Sequence, residues 1–129
     1  MDAAGALRLH NRTMIGLDLV LGSGALLAPA PTLRALGHEH PTPDAAELFR
    51  RLGPVWLTFA AAHAVAARRD RPRDWWALAW LRGTEIATDV LWARSDAFSR
   101  SARGRAALRL ASAGNLAMSL AFARLSNRT

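Results

Sequence analysis

Apolar residues run along this chain in four long stretches, and the breaks between them carry proline, glycine and arginine. The first stretch is roughly Thr13–Ala30, closed by PAPT. The second runs from near Asp44 to about Ala67, the third covers Asp74–Ala93, and the fourth is about Ala106–Leu125. None of them sustains the alternation of a strand, and Ala and Leu dominate, so all four are predicted to be helices. Start signals agree. Asp44 stands three residues ahead of Glu47, a capping-box arrangement, and Pro72 and Asp74 precede WWALAW. In RRLGP, Pro54 removes a backbone donor and is expected to kink or restart the second helix. In a membrane such a break is tolerated more readily, because neighbouring groups satisfy the freed carbonyl. Leu48, Leu52, Val55, Trp56, Phe59 and His63 recur at helical spacing, as a core stripe does. The expected fold is all-α: one domain over residues 1–129, a four-helix bundle with short loops.

The medium around that bundle is the next question. A spanning helix needs about 20 mainly apolar residues. The first stretch carries one charge, Asp18, and the second has only His63 between Leu52 and Ala67. Trp75, Trp76 and Trp92 lie near the two ends of the third stretch, as an aromatic belt would. ARRDRPRD and RSDAFSRSARGR fill the breaks, and GSG at 22–24 and SAG at 112–114 suit close helix contact in lipid. Against this, the mean hydropathy is only +0.05, and three charges interrupt the third stretch at about 2.5–3.5 kcal/mol each in mid-membrane. A soluble bundle would expose those charges freely, but it would also need polar faces on its other helices. GPVWLTFAAAHAVAA has almost none. The expectation is therefore four transmembrane helices in a bacterial inner membrane. APA at 28–30 resembles a signal-peptidase site, but Pro31 follows it and disfavours cleavage, so the first helix is expected to be retained. The flanking arginines fall equally on the two sides, and the dense ARRDRPR cluster favours cytoplasmic termini.

Composition narrows the chemistry. The 129 residues carry a net charge of +7, and all 17 basic residues are Arg. Lys-free, Ala- and Arg-rich usage matches a high-GC bacterial coding bias. The arginines cluster between apolar stretches rather than in one basic stripe, so nucleic acid is not an expected partner. Arg100, Arg103 and Arg105 read as a lipid-headgroup or solvent contact. With no Cys there is no thiolate metal site and no cysteine nucleophile. No nucleotide loop, HExxH motif or nucleophile elbow occurs, and no metal or cofactor is expected.

The charged part of the third stretch, LRGTEIATDVLWA, carries the candidate chemistry. On a helix Arg82, Glu85 and Asp89 fall within about 60° of one another. Where water is excluded, the like-charged pair Glu85 and Asp89 would settle as one protonated acid beside one carboxylate, the arrangement used in general acid–base work. Glu85 and Asp89 are thus the candidate catalytic pair and Arg82 the orienting cation. His63 and Asp18, each inside another apolar stretch, are candidate partners facing the same interior. Trp56 and Trp80 are candidate apolar contacts for a ligand. The competing reading makes Arg82, Glu85 and Asp89 a salt-bridge network that fixes packing. For His63 the competing reading is a satisfied core histidine, and Asn115 reads as inter-helix glue.

LLAPAPTLRALG, then ELFRRLGPVWLTFAAAHAVAARR, then a Trp-rich third and a small-residue fourth stretch, resemble the small four-helix bacterial membrane proteins of the DoxX-like kind. That resemblance covers most of the chain and implies a four-span inner-membrane protein, without carrying over any catalytic residue. Acids inside a small helical membrane bundle are also similar to those of membrane-bound isomerases and terpene cyclases, an analogy only. The functional expectation is binding, with isomerisation or cyclisation, of a hydrophobic small molecule. The alternatives are an accessory or scaffold subunit of a membrane complex, alone or as a homo-oligomer, and a soluble helical bundle.

Overall fold

The computed structural model describes residues 3–96 and 101–127. Arg100 of the arginine cluster lies outside them. The described residues form helices and no strand: α1 (Ala3–Leu27), α2 (Pro29–Ala35), α3 (Pro43–Arg50), α4 (Gly53–Arg69), α5 (Pro72–Ala93) and α6 (Ala102–Ser126). The four expected stretches thus contain the four long helices, with two short ones between the first and the second. PAPT does not close a helix into a loop. Pro29 occupies the first turn of α2, where its missing N–H costs nothing. The second stretch divides at Arg51–Leu52, and α4 starts afresh with Pro54 in its first turn.

The start of α3 corrects the expected cap. Thr42, not Asp44, is the N-cap: its hydroxyl accepts the Ala45 N–H at 3.2 Å, and Pro43 opens the helix behind it. Proline presets its own φ and holds the preceding residue extended, which places Thr42 in capping geometry and Asp44 within the first turn. Glu47 pairs instead with Arg50 at 3.2 Å.

The long helices pack as two pairs. α1 lies along α4, and α5 lies along α6, whereas α4 and α5 meet over a much shorter length despite their two-residue link. Small residues bring the pairs close. A Cβ on Gly53 would sit 2.9 Å from the Gly22 carbonyl oxygen and against the Leu26 side chain, so α1 and α4 touch through backbone. Between α5 and α6, Ser119 donates to the Ala79 carbonyl at 2.7 Å and Ser112 to the Ile86 carbonyl at 3.1 Å. The loop after α2 turns at Gly37, whose φ of 102° suits only glycine, and packs against Gly104 at the start of α6.

Two apolar clusters result. One holds Ala66, Trp75, Leu78 and Phe122, with Trp75 stacked on Phe122 at 5.7 Å. The other holds Ala25, Leu33, Phe49, Trp56 and Phe59, and through Leu33 and Phe49 it takes in α2 and α3. Asn11, Asp18, His63, Arg82, Ser112 and Asn115 are buried, whereas Val20, Leu27, Trp80, Leu91 and Leu110 are each more than 60% exposed. One helix among the described residues, α6, is long and apolar enough to cross a membrane by length and composition.

At the α4–α5 link Asp70 adopts the left-handed conformation (φ 47°). Its carboxylate accepts from Arg8 Nη2 at 2.9 Å and from the Trp75 indole N–H at 2.8 Å, fastening the start of α1 to the hairpin.

Two expectations follow from these contacts. Gly53→Ala forces a Cβ against the Gly22 backbone, which cannot yield as a side chain does. It should cost about 1–3 kcal/mol, read as a lower Tm in thermal unfolding. Asp70 is held below its ordinary value of 3.8, chiefly by the Arg8 hydrogen bond and further by that of Trp75. A carboxyl lowered in the folded state adds stability above its unfolded value and loses it as pH falls through the folded one. The stability gap between the native protein and Asp70→Asn should be present at neutral pH and close as the pH falls below about 3.8. Acid titration of Tm for both proteins measures it.

Candidate functional site

Arg82 is the meeting point of the two helix pairs. It projects from α5 into the interior, where only 2% of it is exposed. There its Nη2 bonds to Asp18 Oδ2 of α1, and its Nε donates to His63 Nε2 of α4 at 3.0 Å. The guanidinium lies over the Phe59 ring, 5.2 Å from its centroid. A buried guanidinium needs a counter-charge and filled donors, and Asp18, His63 and the ring face together supply them. Asp18 Oδ1 is buried and has no hydrogen-bond partner among the described residues.

Hydrogen bonding fixes the state of His63. Asn11 Nδ2 donates to the His63 carbonyl at 3.0 Å, which orients the amide so that its Oδ1 faces His63 Nδ1 at 2.5 Å. Oδ1 only accepts, so Nδ1 carries the proton. Nε2 then accepts from Arg82, and the ring is the neutral tautomer with both nitrogens engaged. His63 is therefore a spacer between an amide and a guanidinium.

Glu85 and Asp89 lie one and two turns further along α5. Glu85 Oε2 stands 3.7 Å from Arg82 Nη1, and Asp89 Oδ2 accepts from Asn115 Nδ2 of α6 at 3.0 Å. Both carboxylates face a cavity of about 380 Å³ in the cleft between the first half of α4 and the second half of α5. Its remaining walls are Leu52, Val55, Trp56, Phe59, Thr84, Thr88 and Trp92. The cleft exists because α4 and α5 diverge there, and α3 backs it. Phe49 packs on Trp56 edge-on at 5.4 Å and on Trp92 at 6.1 Å.

Of the sequence candidates, the structure brings Arg82, Asp18 and His63 into one buried network, with Glu85 at its edge. Glu85, Asp89 and Trp56 share the cavity. Trp80 lies elsewhere: it is 64% exposed, beside Trp76 in a groove between α5 and α6. Asn11 was not among the candidates. The available signal was its spacing: seven residues before Asp18, it falls on the same face of one helix. Among the described residues no group of three or more His, Cys, Asp or Glu is placed to hold a metal ion.

No protein-family model, curated protein or solved structure matches the chain.

The functional reading therefore rests on this geometry, and the buried pair offers a direct test of it. Removing one partner of a buried ion pair costs about 3–5 kcal/mol, whereas replacing both by apolar residues is often neutral or better. Arg82→Met should destabilise strongly, and Asp18→Leu combined with Arg82→Met should recover most of the loss. Thermal unfolding of the two variants beside the native protein reads the difference.

Proposed function

We propose that this is a small integral membrane protein of the DoxX-like kind. Its four long helices span the bacterial inner membrane as a bundle, and its α4–α5 cleft binds a hydrophobic small molecule. The observation that carries the reading is a buried polar network, Asn11, Asp18, His63 and Arg82, inside helices that leave Val20, Leu27, Trp80, Leu91 and Leu110 exposed. In lipid the outer surface needs no polar cover, and the interior is where charges are held by partners. Helix lengths are compatible with it, although by length and composition together α6 alone among the described helices qualifies as a span. α1, α4, α5 and α6 have 25, 17, 22 and 25 residues, against the roughly 17–25 that span a bilayer.

Within that bundle Glu85 and Asp89 act on the ligand as an acid–base pair, and Arg82 orients Glu85. One carboxyl delivers a proton to a double bond or leaving oxygen, and the other removes one, which is isomerisation or cyclisation chemistry. The Leu52, Val55, Trp56 and Trp92 walls supply apolar contact.

A second, non-enzymatic reading is favoured by the groove on the other side of α5, lined by Trp76, Trp80, Gly83, Ser119 and Leu120. As an accessory subunit the protein would seat a partner's helix there.

Fractionation tests the membrane part: the tagged protein should stay in the membrane pellet after a carbonate wash, and a freely soluble monomer would end both readings. For the site, native mass spectrometry of the protein released from lipid should detect a co-purifying lipophilic molecule. Glu85→Gln with Asp89→Asn should lose it. Retention of the molecule by that variant would remove the acids from the binding site.

A further inference from the structure

One end of the bundle is strongly basic. α1 runs antiparallel to α4, and α5 to α6, so the starts of α1 and α5 lie beside the ends of α4 and α6. Gathered there are Arg8 of α1, Arg68 and Arg69 of α4, Arg71 and Arg73 around the start of α5, and Arg124 of α6. Two carboxylates accompany them among the described residues, and both are engaged. Asp70 accepts from Arg8 and from the Trp75 indole, and Asp74 lies 3.9 Å from Arg73 Nε. Arg124 is exposed and makes no ion pair among the described residues.

Arg124 also borders a groove. Between the first turns of α1 and the last turns of α6 lies a space of about 390 Å³, outside the α4–α5 cleft. Its walls are Ala4, Ala6, Leu7, Ala121 and Leu125, and its polar residues are His10 and Arg124. The alanines leave the room, since α1 and α6 touch over a short length only. At the inner end His10 Nε2 lies 3.2 Å from Met118 Sδ of α6. Arg124 stands about 9 Å further along the α6 axis, at the outer end. No carboxylate lines the groove among the described residues.

This layout selects its ligand. A guanidinium suits an oxyanion of phosphate type, and the neighbouring arginines add a field of the same sign. A free phosphate would use Arg124 and leave the aliphatic wall uncovered. A neutral lipid would cover the wall and leave the charge unmatched. A zwitterionic lipid would bring its ammonium group to a surface that is already cationic. An amphiphile of net negative charge uses both halves of the groove.

We propose that the α1–α6 groove binds an anionic phospholipid, its phosphodiester at Arg124, its glycerol and first acyl methylenes against Leu7, Ala121 and Leu125, and its ester linkages toward His10. This rests on the reading of the bundle as membrane-spanning and is independent of the chemistry of the α4–α5 cleft.

The test is native mass spectrometry of the full chain released from nanodiscs that hold equal amounts of dioleoyl phosphatidylglycerol and dioleoyl phosphatidylcholine. Single-lipid adducts should favour phosphatidylglycerol at least about fivefold, the scale of one arginine at a membrane surface. Arg124→Gln should remove most of that preference. Arg68→Gln takes the same charge from the same end, outside the groove, and should leave most of it. Ala6→Phe fills the exposed side of the groove, keeps every charge, and should lose the adduct. Glycerol 1-phosphate, the headgroup chemistry without chains, should not displace the lipid. Equal losses in Arg124→Gln and Arg68→Gln, or an adduct that survives Ala6→Phe, would assign the effect to the diffuse charge of this end and overturn the groove. Displacement by glycerol 1-phosphate would make this a site for small phosphates and overturn the lipid. Equal retention of both lipids by the native protein would overturn the proposal and leave the membrane-spanning reading standing. Failure of the chain to enter nanodiscs at all would overturn both.

Discussion

One buried guanidinium joins the two halves of this protein. α1 with α4, and α5 with α6, each make a close pair through small residues. Between the pairs the only ionic tie described is Arg82 reaching to Asp18 and His63. Its position is constrained from both sides. The α5 backbone sets where the side chain starts, and Asn11 sets the ring that receives it, by holding His63 through both its carbonyl and its Nδ1. A charge pair of this kind is a weak source of net stability and a strong source of register, because every other alignment of the pairs leaves an ion buried without its counterpart.

That tie sits between two apolar clusters that differ in construction. At the end near the α4–α5 link, Trp75 and Phe122 stack and the helices close on one another. At the other end the space is filled by α2 and α3, and aromatic rings replace direct helix contact. The cleft with Glu85 and Asp89 is what remains where the filling is incomplete. The acids are consequently near enough to Arg82 to feel it, yet are reached from outside the bundle.

Much of this was legible in the chain. The four apolar stretches contain the long helices, Pro54 marks a true restart, and helical geometry put Arg82, Glu85 and Asp89 on one face. Periodicity gives a face but not what lies opposite it. Arg82 turns inward to α1 and α4 while Asp89 bonds to α6, a division that depends on tertiary placement alone. Asn11 was invisible because HNR looks like a polar helix end, and only the three-dimensional arrangement shows α1 continuing past it to Ala3. The short helix α2 was missed for a local reason: in PAPT the prolines read as a stop, although Pro29 also suits the first turn of a new helix. Trp80 was grouped with the site in the sequence, but it lies in the groove between α5 and α6 and does not line the cleft.

The two-residue link between α4 and α5 has a mechanical consequence. At about 1.5 Å per residue, Trp92 stands roughly 33 Å along α5 from Asp70, and Arg82 roughly half that distance. The hairpin is built like a pair of tongs, hinged at Asp70, riveted midway by Arg82 and open at the jaws formed by Trp56 and Trp92. A rotation of a few degrees about the rivet barely alters the guanidinium's partners, yet it shifts the jaws by an ångström or more. The gap between the two indoles is thus set by leverage about Arg82 as well as by Phe49, which packs on both rings.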